Sequence, residues 1–361
     1  MAVIDSDAHV IENNRTWDFM PEADLQYKPR RLAEEETEDL LGQDAGSLAS
    51  LSGPGRKEFW LIDGKVRPYQ AFDPTKSRTP NAAREVVDVQ VRLDHMDKLG
   101  TDIQVLYPTL FLFRLADNRE VDRAICKSYN RWLADVWKQS NNRLRWVVVP
   151  PVLDMDAAVE EIRFGKENGA CGVFMLGVNQ DHIVTDPYYF PMYEEAAALD
   201  LPICVHSGSA SITFDAMFGK LETLLWYAKL PVAAAMHTLY MSKIPQSFPK
   251  IRWGFIEASS SFVPYLLHDL VARHERMYDQ KVAMNSVLRD SRFFVTAQTD
   301  DDLGYVVQYA GEGNLVMGTD YGHVDTASQL EALQILKSDQ KVSPEIADKI
   351  LDENARELYG I

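Results

Sequence analysis

The sequence predicts an α/β protein, a (β/α)8 TIM barrel with a long insertion after its first strand, and three observations predict it. From about residue 85 onward, short apolar runs alternate with longer stretches of helical period, the pattern of βα units around a parallel sheet. Together with one run at the start of the chain there are eight of them, the number that closes a barrel. Several of the runs end in ionisable side chains, and in a parallel barrel all strand C-termini converge on one face. A doubly wound open sheet is the fold alternative. The 361 residues, 46% hydrophobic and 25% charged, supply ample core for one such domain over residues 1–361 and exclude disordered and collagen-like chains.

The strands are expected at Val3–Val10, Ile103–Tyr107, Leu144–Val149, Gly172–Leu176, Ile203–His206, Ile251–Glu257, Phe293–Gln298 and Leu315–Asp320. Helices lie between them. From Asn118 to Gln139, Val121, Ile125, Tyr129, Leu133 and Val136 recur every three or four residues, an apolar stripe that faces a sheet. A second helix starts at Asp186-Pro187, an N-cap followed by a proline in the first turn, and runs through Met192 to Leu199. Residues 12–84 break the rhythm, being rich in Pro, Gly and charge and too long for an ordinary βα loop. Within them Phe59 to Val66 reads as a hairpin turning at Asp63-Gly64, and Arg31 to Leu41 as a short acidic helix. This insertion is expected to form a cap or lid over the barrel mouth, with surface elaboration or subunit contact as the plainer reading.

The charge balance narrows the partners. With 37 Lys and Arg against 54 Asp and Glu the net charge is −17, which repels a phosphate backbone or an anionic membrane surface. Cys126, Cys171 and Cys204 are odd in number, far apart and set in apolar runs, so neither a disulfide framework nor a cysteine zinc site is expected. The chain opens without a basic start or a long apolar stretch; a cytoplasmic setting is expected, with no membrane and no nucleic-acid partner.

Asp7-Ala8-His9 closes the first strand, and period-two alternation turns Asp7 and His9 to the same side. His206 ends the apolar Ile203–Val205 run, and Asp320 follows Gly318-Thr319 at the eighth. Two imidazoles and two carboxylates from three strands match a catalytic divalent-metal site with one position open for water or substrate. Taken singly, each has an ordinary reading: a hydrogen-bonded strand end for Asp7 or His9, a core imidazole for His206, a helix cap for Asp320. His323 is read as contacting substrate or backing a ligand, and His182 as within reach of the mouth. His237 is read as a buried structural histidine, and His95, His268 and His274 as solvated or capping residues on helix faces.

These residues resemble the amidohydrolase-related superfamily, and within it the branch of aminocarboxymuconate-semialdehyde, γ-resorcylate and 5-carboxyvanillate decarboxylases. The likeness also takes in Arg92 to Gly100 before a strand ending Leu106-Tyr107-Pro108-Thr109, Leu201-Pro202 before His206, Glu257 followed by Val263-Pro264, and Gly318 to His323. It implies a barrel holding one catalytic divalent metal, with Asp7, His9, His206 and Asp320 on the ligand positions. Members mostly perform nonoxidative decarboxylation, with some hydrolases and hydratases among them. The first ligand, often His or Glu in the family, is Asp7 here, which favours harder metals and leaves Zn2+ and Mn2+ both open. The sixth strand, which often ends in a histidine, ends here in Glu257, expected as an active-site residue, either a ligand neighbour or an acid/base.

Trp17, Trp60, Phe111, Phe113 and Tyr321 are expected in loops on the mouth, as flat walls for a planar substrate or as packing within the lid. Arg114 is the candidate clamp for a small-molecule carboxylate, since a guanidinium meets it with two parallel donors. The leading function is metal-dependent decarboxylation of an aromatic or conjugated acid, Asp320 supplying the proton to carbon. Hydrolysis of an amide, lactone or activated carbon–carbon bond uses the same residues; a metal-binding regulatory protein on a borrowed barrel is the non-enzymatic reading. A homodimer or higher homo-oligomer is expected.

Overall fold

The computed structural model describes residues 1–32, 36, 58–69, 74–324 and 326–361. Among these the strands are β1 (Ile4–His9), β2 (Arg30–Leu32), β3 (Phe59–Ile62), β4 (Lys65–Pro68), β5 (Ile103–Tyr107), β6 (Leu144–Val148), β7 (Ala170–Leu176), β8 (Val178–Asn179), β9 (His182–Ile183), β10 (Ile203–His206), β11 (Trp253–Ile256), β12 (Phe293–Ala297) and β13 (Leu315–Met317). Eight of them form one parallel sheet in the order β1-β5-β6-β7-β10-β11-β12-β13, their order along the chain. The sheet curls until its last strand meets its first: Asp320 N–H donates to the Asp7 carbonyl and His9 N–H to the Tyr321 carbonyl, both at 2.9 Å. The (β/α)8 barrel, not the open sheet, is therefore the fold.

All eight expected strands are present, with bounds that differ by up to three residues, the largest difference being at the end of β13. β11 stops at Ile256, where Glu257 turns left-handed with a φ of 59°; β13 ends at Met317, and Asp320, three residues on, is left-handed with a φ of 49°. That backbone state is strained for a residue bearing a Cβ and concentrates at functional sites. β1 carries a bulge between Asp5 and Ala8, which re-aims side chains locally. As a result Asp5 pairs beside Gln104, while His9 pairs beside Tyr107. The barrel can close only because Gly318 has no side chain. A Cβ there would lie 2.3 Å from the Cβ of Asp7.

The long amphipathic helix runs Arg119–Gln139, capped by the Asn118 side chain on Glu120 N–H. Asp186 caps a 3-10 turn at Pro187–Tyr189 that leads into the helix Phe190–Ala198, as its sequence indicated. Inside the barrel Tyr359 donates to the Ser6 carbonyl at 2.7 Å, its hydroxyl 2.8 Å from that of Tyr107. Among the described residues no helix is long and apolar enough to cross a membrane.

In the insertion, β3 and β4 form the expected hairpin, with left-handed Asp63 (φ 48°) and Gly64 (φ 71°) at the turn. β2 adds a third antiparallel strand. Arg31 and Leu32, expected to open an acidic helix, are strand residues because they pair with Trp60 and Phe59; residues 33–35 and 37–41 of that expectation lie outside the described residues. The hairpin is fastened to the segment after β5. Asp63 accepts the N–H groups of Asp117 (2.7 Å) and Asn118 (3.0 Å), and Arg67 Nε donates to the Arg114 carbonyl at 2.8 Å.

Asp122 on the Arg119–Gln139 helix is buried and accepts the Leu153 N–H at 3.0 Å. Burial pushes its carboxyl up to about 7. A group whose folded pKa lies above its unfolded value gives stability that is full below the unfolded value and lost as pH rises through the folded one. Asp122→Asn keeps an acceptor and never ionises. Its stability relative to the wild type should therefore rise from the ordinary carboxyl pKa up to about pH 7, by at most about 1.4 kcal/mol per pH unit, and level off above. Denaturant titrations at pH 5.5, 7 and 8 check this; parallel profiles would show that the carboxyl titrates normally.

Candidate active site

Three carboxylates and two imidazoles meet at the C-terminal mouth of the barrel. His9 Nε2 lies 3.1 Å from Glu257 Oε2, 3.4 Å from Asp320 Oδ1 and 3.5 Å from Asp7 Oδ1. His206 Nε2 lies 3.4 Å from both Asp7 Oδ1 and Glu257 Oε2. A tetrahedral ion with bonds of about 2.1 Å holds its ligand atoms about 3.4 Å apart. The donor atoms of Asp7, His9, His206 and Glu257 all lie within 4.8 Å of one another, as do those of His9, Glu257, Asp320 and His323. Two overlapping sets thus share His9 and Glu257, and either fits a divalent cation.

The neighbours of the imidazoles fix their tautomers. His9 Nδ1 is 2.9 Å from the Pro108 carbonyl and His206 Nδ1 3.1 Å from that of Ser207. Each Nδ1 therefore carries the proton and each Nε2 presents its lone pair to the cluster, the arrangement metal-binding histidines adopt. Electrostatics point the same way. Burial alone would raise Asp7, but hydrogen bonds and charge from His206 and His9 outweigh it and hold its carboxyl below the usual range. Burial would lower His9, but its contacts with Asp7 and Glu257 outweigh that and raise it. The carboxylates thus demand a positive charge beside them, which a cation held at the Nε2 lone pairs would supply and which a second proton on His9 would otherwise provide.

A layer of polar contacts holds these groups in place. Asp5, behind the seam, accepts Thr319 N–H (2.9 Å), Thr319 Oγ1–H (2.6 Å) and Gln104 Nε2–H (3.0 Å), and Gln104 in turn accepts from Arg92 Nε at 2.7 Å. Buried Arg92 also donates to the His9 carbonyl at 3.1 Å and stacks on the Tyr321 ring. His323 stacks on His9 at 3.9 Å between centroids, with Nδ1 2.7 Å from Asp320 Oδ1 and Nε2 2.9 Å from Thr109 Oγ1. Burial, then the charges of His9 and His206, hold His323 well below its ordinary value. Glu257 receives Ser207 Oγ–H at 2.9 Å and gives its own N–H to Thr296 Oγ1 at 2.7 Å. The turn that follows, left-handed again at Ser259, is gathered onto one buried carboxylate. Asp301 accepts Ser260 N–H (2.8 Å), Ser260 Oγ–H (2.7 Å), Ser261 Oγ–H (2.6 Å), Ser259 Oγ–H and Gln298 N–H (2.8 Å).

The structure brings together some of the residues singled out in the sequence and disperses others. Asp7, His9 and His206 gather with Glu257, while Asp320 shares its set with His9, Glu257 and His323. Arg114, half-buried, is paired with Asp117; its Nε has no hydrogen-bond partner, and with Phe111, Phe113 and Phe174 it lines a cavity of about 40 Å³. Phe174 packs 6.0 Å from the His206 ring, which sets this cavity beside the cluster. Tyr321 is not a mouth wall: its neighbour Asp320 faces the axis, so its own ring points outward, under Arg92, with its hydroxyl 2.6 Å from His95 Nδ1. Trp17 is not one either, being wholly buried edge-on against Trp60 within the insertion. His182 sits at the surface beside Asp186. His237 is only partly buried, whereas His274 is buried against Tyr240 and Tyr278. Asp5, Ser207, Asp301 and the role of Thr109 were missed; the Ser259-Ser260-Ser261 run, an unusual cluster of hydroxyl donors, was the one local hint of Asp301.

A family model described as amidohydrolase matches residues 4–361. No curated protein gives a significant match. Among solved structures, an amidohydrolase from Mycobacterium avium subsp. paratuberculosis superposes with a TM-score of 0.75 at 17% identity, covering 99% of each chain. A 5-carboxyvanillate decarboxylase from Novosphingobium aromaticivorans, complexed with manganese and 4-hydroxy-3-methoxy-5-nitrobenzoic acid, gives 0.71 at 16% identity, covering 100% of this chain and 96% of that one. A 4-oxalomesaconate hydratase from Rhodopseudomonas palustris gives 0.60 at 16% identity, covering 99% and 95%. At such identities the likeness is one of fold.

Asp301→Ala leaves the serine hydroxyls and two backbone N–H groups unpaired and frees the Glu257 turn. Affinity for Mn2+ or Zn2+ should fall about 10–100-fold, the usual cost of losing a group that orients a ligand, while the far-ultraviolet circular dichroism stays that of the wild type. Competition with a chromogenic chelator measures it. Undiminished affinity would mean that Thr296 and Ser207 alone hold Glu257.

Proposed function

The chain belongs to the amidohydrolase family, and we propose that it is a metal-dependent decarboxylase of an aromatic or conjugated carboxylic acid. The observation that carries this reading is the spacing of the His and carboxylate donors, with both Nε2 lone pairs turned inward, beside a cavity walled by phenylalanines. Asp7, His9, His206 and Glu257 would hold one Zn2+ or Mn2+ ion. When bound, that ion supplies the Lewis-acid charge that draws electrons out of the acid's conjugated system.

The remaining work falls to the chain. Phe111, Phe113 and Phe174 hold the flat body of the substrate, and Arg114, with Nε free for an acceptor, turns its acid group. Asp320 delivers the proton to the carbon that loses carbon dioxide, its Oδ1 held by His323 and its Oδ2 by Ser328. The insertion, whose hairpin grips the backbone at Arg114, acts as the cap that excludes water from the developing carbanion. Hydrolysis is the second reading, and the amidohydrolase description of the family favours it: the same cluster would activate water, with Asp320 as base.

His206→Ala should lose the metal and all turnover while keeping the fold. Elemental analysis by mass spectrometry of both proteins tests that, and an active, metal-free wild type would sink the reading. Screening hydroxybenzoates, carboxymuconates, lactones and amides in deuterium oxide and in 18O-water separates the two chemistries. A decarboxylase leaves deuterium on the carbon that carried the carboxylate and releases carbon dioxide; labelled oxygen in the product without carbon dioxide would make the protein a hydrolase.

A further inference from the structure

One buried carboxylate beyond the end of β1 has no part in the chemistry above. Glu12 stands three residues after His9 and is 2% exposed. Its two oxygens are spread over two consecutive backbone N–H groups of the segment after β5: Oε1 accepts Thr109 N–H at 3.1 Å and Oε2 accepts Leu110 N–H at 2.9 Å. A tie between two loops needs no charge, and a carboxylate taken out of water costs more than a neutral side chain would. Burial pushes this one up to about 7, against the pull of the Leu110 and Thr109 N–H groups and of the His9 charge. The groups it holds account for its presence.

Each N–H leads to a part of the site. The Thr109 N–H belongs to the same peptide unit as the Pro108 carbonyl, which faces His9 Nδ1 at 2.9 Å. In a trans peptide those two groups point to opposite sides, so Glu12, the peptide and His9 form one line of hydrogen bonds. Bonds in such a line polarise one another. A carboxylate on the N–H makes the carbonyl a better acceptor for Nδ1–H, and that makes Nε2 a stronger ligand for a cation. The Leu110 N–H opens the 3-10 turn Leu110–Leu112, whose N-cap residue, Thr109, gives it no side-chain cap. Glu12 caps that turn from another element, and so fixes the start of the segment that carries Phe111, Phe113 and Arg114 to the cavity. Thr109 donates its own hydroxyl hydrogen to the Val10 carbonyl at 2.7 Å, which leaves its oxygen to accept from His323 Nε2.

We infer that Glu12 is a positioning residue that couples His9 to the phenylalanine wall, orienting the imidazole and raising the cation affinity of its Nε2 through the Pro108–Thr109 peptide. The inference rests on the metal-binding reading of the cluster. Because coupling between two sites is reciprocal, a cation on Nε2 also strengthens the N–H bonds to Glu12, and the wall is held more firmly once the metal is in place.

Two measurements on the full-length protein test it. Glu12→Gln keeps the size and one acceptor but turns an NH2 towards the second N–H. Its Zn2+ affinity, by competition with a chromogenic chelator at pH 8, should fall about tenfold, the lower end of the usual effect of losing a group that orients a ligand. Glu161→Gln is the control for a merely structural role. Glu161 is also buried, accepts from Asn130 and Arg131, and its variant should lose stability while keeping the wild-type Zn2+ affinity. Undiminished affinity in Glu12→Gln, or an equal fall in both variants, overturns the inference. The second measurement needs no variant and decides alone if Glu12→Gln does not fold. On loading the wild type with Zn2+, amide hydrogen exchange should slow more at Thr109 and Leu110 than around Glu161; a change no larger at those two positions refutes the coupling. A wild type that binds no Zn2+ overturns the metal-binding reading, and the inference with it.

Discussion

Asp7, Glu257 and Asp320 converge on the one nitrogen His9 Nε2, in a place that water barely reaches. Like charges held this close in a poorly solvated interior repel strongly and lose their hydration. The arrangement persists only if a cation sits among them, and much of the surrounding structure serves to keep the carboxylates from relaxing apart. Asp5 ties β13 to β1 through Thr319, Asp301 gathers the turn after Glu257, and Thr109 and Asp320 hold His323 between them. Three of the strained or crowded backbone points, Glu257, Ser259 and Gly318, lie at or beside these attachments.

The mouth around this centre is not symmetrical. On the β5, β6 and β7 side the walls are phenylalanines with one guanidinium, reached from the insertion hairpin through the Arg67 contact to Arg114. On the β10, β11 and β12 side the groups are polar, Ser207 donating to Glu257 and the Glu257 N–H to Thr296. A flat acid lying across such a mouth would have its apolar body on one side and its charged edge on the other.

Much of the architecture was legible in the sequence because it depends on local pattern. Apolar runs such as Ile203–Val205 and the stripe from Val121 to Val136 are decided by period alone, and Asp63-Gly64 announces its turn because few other pairs adopt two left-handed conformations in succession. The ligand-type residues could be read for the same reason: a strand that ends in His or Asp delivers it to the mouth of any parallel barrel. The expected helix from Arg31 failed at its start because pairing with Trp60 outweighs local propensity.

The sequence by itself determined eight strands of a parallel α/β fold and put Asp7, His9, His206, Glu257 and Asp320 at their C-terminal ends, since apolar period and alternation leave little choice; the closure of β13 onto β1 came from the tertiary structure. Which of their donor atoms lie close enough to share a cation, and which aromatic rings stand near them, only the tertiary structure decided. The β1 bulge, the left-handed turns at Glu257 and Asp320, and the close approach of Gly318 to Asp7 shift side chains by amounts no periodicity encodes. The same holds for Tyr321, turned outward under Arg92, and for Asp301, which lies beyond the next strand from the turn it holds. Those outcomes arise from contacts between residues far apart in the chain, and a contact of that kind exists only once the barrel has closed.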